Sequence, residues 1–218
     1  MTAIEPKDRI FVALDTPERA KASDLAVRLA GAVGGIKLGL EFFTAQGPEG
    51  VRAVAGDARL FLDLKLHDVP NTVAGAVRAA APLRPMFLSV HAGGGRAMLE
   101  AAVAAAREAS EAGSLPRPRL LGITLLTSLD EADLESLGQH GSVLDQVRRL
   151  AELARAGGLD GVVCSPREVA ALRADHGPGF LLVVPGIRPA GSAAHDQKRV
   201  LTPTRAVAAG ADYLVIGR

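Results

Sequence analysis

Phe61-Leu62-Asp63-Leu64-Lys65-Leu66-His67-Asp68-Val69-Pro70-Asn71-Thr72 begins as an apolar strand and is interrupted by charge toward its carboxyl end. Successive side chains on a strand point to opposite faces, so Asp63 and Lys65 share one face and Leu62, Leu64 and Leu66 the other. Asp68 falls just past the strand, and Pro70 suits the first turn of a following helix. A lysine between two carboxylates at a strand end reads in two ways. It is an ion pair that fixes the strand end, or it is a reactive centre.

On both sides of this stretch the same strand-then-helix unit repeats. Apolar runs predict strands at 9–15, 35–39, 86–91, 119–125, 160–164, 180–184 and 213–216. Between them the pattern predicts a helix opening at Thr16-Pro17-Glu18, one over 40–55 broken at Gly47-Pro48, and others over 69–81, 96–109 and 143–156. A further helix starts near Ser165-Pro166, and the last contains 206–209. Eight short strands alternating with helices predict an α/β fold with a parallel sheet. So many units in 218 residues favour closure into a (β/α)8 TIM barrel over an open doubly wound sheet. No linker or low-complexity segment divides the chain, so residues 1–218 are expected to form a single barrel domain. The chain stops two residues after the eighth strand, so the closing C-terminal helix of such barrels is expected to be absent.

Composition narrows the function. Hydrophobic residues make up 48% of the chain, enough for a substantial core. Lys and Arg number 25 against 24 Asp and Glu, a formal net charge of +1, which offers no electrostatic case for nucleic acid or membrane as partner. The lone cysteine, Cys164, excludes an intramolecular disulfide and a cysteine-based metal cluster, and fits a reducing cytoplasm. It reads as a small core residue at a strand end, with a nucleophile as the alternative. The first fifteen residues carry no signal-peptide pattern, and no apolar run approaches membrane-spanning length. A cytoplasmic location is expected.

In parallel barrels, side chains at the carboxyl ends of the strands face the active site. By that rule Asp15, Lys37, Asp63, Lys65 and His91 end strands one to four. Thr127 and Ser128 follow strand five, Arg188 follows strand seven, and Gly217 and Arg218 follow strand eight. His91 also reads as a satisfied structural group, and Thr127 and Ser128 as helix caps. Gly186, Arg188, Gly217 and Arg218 occupy the positions where barrels of this kind often bind phosphate, with glycines for close backbone approach and arginines for charge-assisted bonds. The Gly- and Pro-rich span 185–203 has the length of a lid or binding loop. The residues point to a barrel enzyme acting on a small phosphorylated substrate, with a Lys/Asp cluster as its reactive centre.

Asp63-Leu64-Lys65-Leu66-His67-Asp68-Val69-Pro70-Asn71-Thr72 resembles the signature of the orotidine 5′-phosphate decarboxylase family in its bacterial form. The resemblance extends through Val12-Ala13-Leu14-Asp15, Lys37, Thr124-Leu125-Leu126-Thr127-Ser128 and Pro185-Gly186-Ile187-Arg188-Pro189. It continues through Asp196-Gln197, Leu201-Thr202-Pro203 and Val215-Ile216-Gly217-Arg218, and so covers nearly the whole chain. The resemblance implies decarboxylation of orotidine 5′-monophosphate to uridine 5′-monophosphate in pyrimidine synthesis, with no metal or organic cofactor. It implies that Lys65 protonates the substrate's C6, that Asp63 sits beside the substrate carboxylate, and that Lys37, Asp63, Lys65 and Asp68 form a charged network. Asp68 would come from the other subunit of a homodimer. Asp15 and Lys37 would contact the ribose, with Thr72 reaching it across the interface, and the whole stretch 63–72, including Leu64, Leu66, His67, Val69, Pro70 and Asn71, would line the substrate. Thr127 would lie near the pyrimidine. Arg188, Gln197, Gly217 and Arg218 would hold the phosphate, Gln197 from a closing loop.

Two other readings compete. One is a metal-dependent sugar-phosphate decarboxylase or aldolase, whose superfamily shares the Asp-x-Lys-x-x-Asp pattern. The other is a catalytically silent nucleotide-binding barrel.

Overall fold

Short runs rich in Val, Ile, Leu and Phe cannot satisfy their backbone alone, and the helices between them force each strand to run parallel to the last. In the computed structural model, which describes residues 4–187 and 202–217, these runs form a closed parallel barrel in sequence order. The strands are β1 (Ile10–Ala13), β2 (Gly35–Gly39), β3 (Leu60–Leu66), β4 (Phe87–His91), β5 (Arg119–Ile123), β6 (Gly161–Val163), β7 (Leu181–Val184) and β8 (Tyr213–Ile216). Closure is carried by β1, where Phe11 lies opposite Gly35 of β2 on one side and Val215 of β8 on the other. The helices α1 (Arg19–Leu29), α2 (Leu40–Ala55), α3 (Pro70–Ala80), α4 (Arg96–Gly113), α5 (Glu131–Ser136), α6 (Val143–Ala156), α7 (Val169–His176) and α8 (Pro203–Ala208) alternate with the strands, α5 and α6 both falling between β5 and β6. Among the described residues no helix is long and apolar enough to cross a membrane.

Several boundaries differ from the sequence reading for physical reasons. The run from Ser165 makes a turn before α7, because the Glu168 carboxylate folds back to accept from the Ser165 amide at 2.7 Å and its hydroxyl at 2.6 Å. The short α5 has no counterpart in the hydrophobic pattern, since it spans under two turns; a capping box between Asp130 and Asp133 fixes its start. Neither Thr127 nor Ser128 is therefore the cap. In α2 the expected break is real: Gly47 adopts φ 61, and Pro48 restarts the helix.

Inside the barrel, Phe11, Phe61, Phe87 and Tyr213 form one aromatic cluster with Leu121, Val183 and Val215. Their rings meet edge-on or tilted, Phe87 and Tyr213 at 5.0 Å and Phe11 and Phe87 at 5.3 Å between centroids. Rings of that size fit only beside small neighbours. A Cβ added at Gly35 would lie 2.5 Å from both a Phe11 ring carbon and the Arg59 carbonyl. Gly35→Ala is therefore expected to lower unfolding free energy by about 1–3 kcal/mol, read by chemical denaturation. An unchanged midpoint would mean that the aromatic floor can yield.

Candidate active site

The site begins at an interruption in a strand. β3 and β4 are in register at Phe61 opposite Phe87 and Leu62 opposite Leu88, and again at Leu66 opposite Val90. Four steps along β3 thus match two along β4, and Asp63, Leu64 and Lys65 leave the ladder with β4, while Asp63 stays in register with Gly39 of β2. Lys65 sits in the left-handed region at φ 51, a conformation costly for a lysine and held only where its surroundings enforce it. Asp63 and Lys65 do share a face, but through this bulge rather than through regular alternation.

Charges from three successive strands meet there. Lys65 Nζ donates to Asp63 Oδ2 at 2.7 Å. Lys37 Nζ lies 3.6 Å from the same oxygen and 3.5 Å from Asp15 Oδ1. The row Asp15–Lys37–Asp63–Lys65 thus alternates in sign. The side chains of Asp63 and Lys37 are each 12% exposed and that of Lys65 35%, so the row runs from a shielded centre to an open end. Burial pushes the Asp63 carboxyl up. The Lys37 and Lys65 ammoniums, with hydrogen bonds from Lys65 and Ser89, overcome this and hold it below the ordinary carboxylate value. Asp63 is consequently ionised at neutral pH despite its burial.

A cavity of about 320 Å³ opens over this row, and its walls differ around the barrel. Asp15, Lys37, Asp63 and Lys65, from β1 to β3 and the loop after β1, form a charged sector. Ile123, Leu125 and Val163, from β5, β6 and the loop after β5, form an apolar one, with Thr127 beside it. Gly186 and Gly217, beyond β7 and β8, present backbone with no side chain in the way. Gly186 has φ 72, and a Cβ on Gly217 would come within 3.3 Å of Ala13. Such a cavity offers a charged sector, an apolar wall and open backbone to one small molecule.

The other expected site residues are placed differently. Leu64 is buried in the core between barrel and helices, and Leu66 packs against that core; neither is among the residues that line the cavity. His67, Asp68, Val69, Pro70, Asn71 and Thr72 are all exposed outside the cavity. The Asp68 carboxylate accepts from the Val69 amide at 2.6 Å, and among the described residues it has no ion pair with Lys65. Within one chain Lys65 is thus paired with one carboxylate, not held between two. Arg188, Gln197 and Arg218 lie outside the described residues. His91 is not among the residues that line the cavity; its ring stacks on His67 at 4.9 Å, and Nδ1 accepts from the Gly93 amide at 3.1 Å. Burial, with His67 and Lys65 adding to it, pushes His91 below the ordinary imidazole value. Cys164 is 1% exposed yet borders the cavity.

Two residues escaped the sequence reading. Glu41, one step into α2, lines the cavity; its position just beyond the Lys37 strand was the available signal. Ser89, fully buried on β4, donates to Asp63 Oδ1 at 2.8 Å. Its signal was weaker, one hydroxyl in an otherwise apolar strand. Among the described residues no group of three or more His, Cys, Asp or Glu is arranged to hold a metal ion.

A closed parallel barrel with a lysine–carboxylate row and a sectored cavity at its carboxyl mouth defines an enzyme of the (β/α)8 class. Comparison with known proteins narrows the class. Residues 8–218 match the Orotidine 5′-phosphate decarboxylase / HUMPS family. An orotidine 5′-phosphate decarboxylase from Rhodospirillum rubrum is 59% identical over 211 residues, covering 96% of this chain and 85% of that protein. One from Paramagnetospirillum magneticum is 57% identical, covering 96% and 89%. The crystal structure of orotidine 5′-phosphate decarboxylase from Lactobacillus acidophilus matches with a TM-score of 0.85 at 35% identity, over 96% of this chain and 89% of that one. The chain belongs to the orotidine 5′-phosphate decarboxylase / HUMPS family.

Proposed function

We propose that this chain converts orotidine 5′-monophosphate to uridine 5′-monophosphate in pyrimidine biosynthesis, using fixed charges and no metal or organic cofactor. Its family and its relatives' activity support the reaction. The observation that carries the mechanism is the alternating Asp15–Lys37–Asp63–Lys65 row beneath the cavity.

When the bond from C6 to the carboxylate breaks, carbon dioxide leaves and the electron pair stays on C6. That carbanion has no adjacent π-system to spread into, so stabilisation has to come from charge already in place. Lys65 is the ammonium at the open end of the row. Its Nζ–H bond breaks, the proton goes to C6, and the neutral amine regains a proton from solvent. Asp63 keeps Lys65 charged and aimed, and Lys37 balances Asp63 from the far side. Asp63 also stands beside the substrate carboxylate; repulsion there adds a smaller share.

The remaining roles follow the cavity's sectors. Asp15 and Lys37 meet the ribose, Thr127 and the apolar wall meet the pyrimidine, and Gly217 with Arg188, Gln197 and Arg218 takes the phosphate. Phosphate binding, remote from C6, supplies energy that assembles the crowded charges. The exposed stretch 67–72, with Val69 62% exposed, is the face offered to a second copy in a homodimer. Asp68 and Thr72 of each chain then complete the partner's site. The single buried cysteine suits a cytoplasmic enzyme.

Mixing Lys65→Ala chains with Asp68→Ala chains tests the shared site. Each variant alone is expected to be nearly inactive. The equilibrated mixture is expected to recover up to about a quarter of wild-type turnover, since half of the dimers are mixed and half of the mixed dimers' sites are intact. No recovery from mixtures shown to exchange subunits would assign each site to one chain.

A further inference from the structure

The bulge in β3 poses a hydrogen-bonding problem that one residue of β4 solves. Where Leu62 to Leu66 of β3 face Leu88 to Val90 of β4, the Lys65 amide has left the ladder. Ser89 lies at the middle of that shorter segment and is fully buried. Its Oγ accepts from the Lys65 amide at 2.9 Å and donates to Asp63 Oδ1 at 2.8 Å. A hydroxyl has one proton to give. Because the amide can only donate, the serine proton is committed to Asp63. Oδ1 is thereby occupied, and Oδ2 is left facing Lys65 Nζ at 2.7 Å and Lys37 Nζ at 3.6 Å.

We infer that Ser89 is a positioning residue for the decarboxylation: its hydroxyl pins the left-handed backbone of Lys65 and the rotation of the Asp63 carboxylate together, so that the ammonium is held toward the reacting carbon. It does not line the cavity and acts through those two residues. The inference rests on the decarboxylase reading given above. Removing the hydroxyl would leave an amide and a carboxylate oxygen short of a partner in one step, and would release a side-chain restraint on a backbone that is already costly.

The test compares wild type with Ser89→Ala, Ser89→Cys and Ser89→Thr on orotidine 5′-monophosphate, at matched concentrations of folded protein. Ser89→Ala is expected to lower kcat by about 10- to 100-fold with KM little changed. The acid limb of kcat is expected to move upward, because the Asp63 carboxyl loses one of the bonds that hold it down. Ser89→Thr, which keeps the hydroxyl, is expected to recover most of kcat and to return the limb to its wild-type position. Ser89→Cys, close in volume but a weak donor, carries the same expectation as alanine and decides the matter if the alanine variant does not fold. Wild-type kcat and an unmoved limb in the folded alanine or cysteine variant would overturn the role of Ser89 while leaving the decarboxylase reading intact. Wild-type protein without turnover would overturn the decarboxylase reading itself.

Discussion

Lys65→Ala is expected to reduce kcat on orotidine 5′-monophosphate by roughly 10⁴-fold or more while the protein stays folded. The size of the effect follows from what one side chain does in the proposed reaction. Its charge stabilises the carbanion, and its proton ends the reaction. Stability should change little by comparison. The Lys65 side chain is 35% exposed, so its pair with Asp63 is partly screened by solvent, and alanine, which keeps the Cβ, leaves the strain at φ 51 as it was. Binding of uridine 5′-monophosphate, measured by calorimetry, should persist. A variant that kept even a hundredth of wild-type kcat would show that another group delivers the proton.

Asp63→Asn should be the second most damaging substitution, with kcat falling by about 10²- to 10³-fold. Asparagine keeps the shape and the contact with Ser89 but removes the charge shared by two lysines. Lys37 and Lys65 then face each other with no carboxylate between them, and the Lys65 ammonium loses its orientation. If orientation is the main role, KM stays near the wild-type value. A KM that fell together with kcat would instead assign Asp63 chiefly to repelling the substrate carboxylate.

The same residue sets an acid limit. The Asp63 carboxyl is held below its ordinary value in the folded protein, so its contribution to stability is complete above the carboxylate range. It is lost as the pH falls through the lower, folded value. Wild type should lose stability toward acid more steeply than Asp63→Asn, by urea denaturation at a series of pH values. Parallel curves would mean that other carboxylates dominate acid unfolding.

The sequence carried the fold further than it carried the site. Gly35 and Gly39 bracket β2, and Leu40–Ala55 forms α2 with its break at Gly47-Pro48, as the pattern predicts. Such elements are legible because their ends are set by local chemistry, by glycines, caps and prolines. The strand ends before Asp15, Thr124 and Cys164 were harder to place, since an apolar run continues where the ladder has already stopped. Lys37, Asp63 and Lys65 could be brought together from sequence because each stands toward the carboxyl end of its strand, although it is the bulge and not a period of two that puts Asp63 and Lys65 on one side. The bulge itself left no trace in residue types, and the lone hydroxyl on β4 did not name its partner, since Ser89 and Asp63 stand 26 positions apart. The bulge that turns Asp63 and Lys65 to the cavity keeps Leu64 and Leu66 out of its lining. The roles proposed for Asp68 and Thr72 call for a second chain, which no pattern within one sequence specifies.

The most direct measurement is turnover of orotidine 5′-monophosphate by the wild-type protein after thorough chelation with EDTA, followed as loss of substrate absorbance. Catalysis by fixed charges without a metal predicts the same kcat before and after chelation. Turnover that vanished with EDTA and returned with Mg²⁺ would contradict it and move the chain toward metal-dependent chemistry on the same barrel.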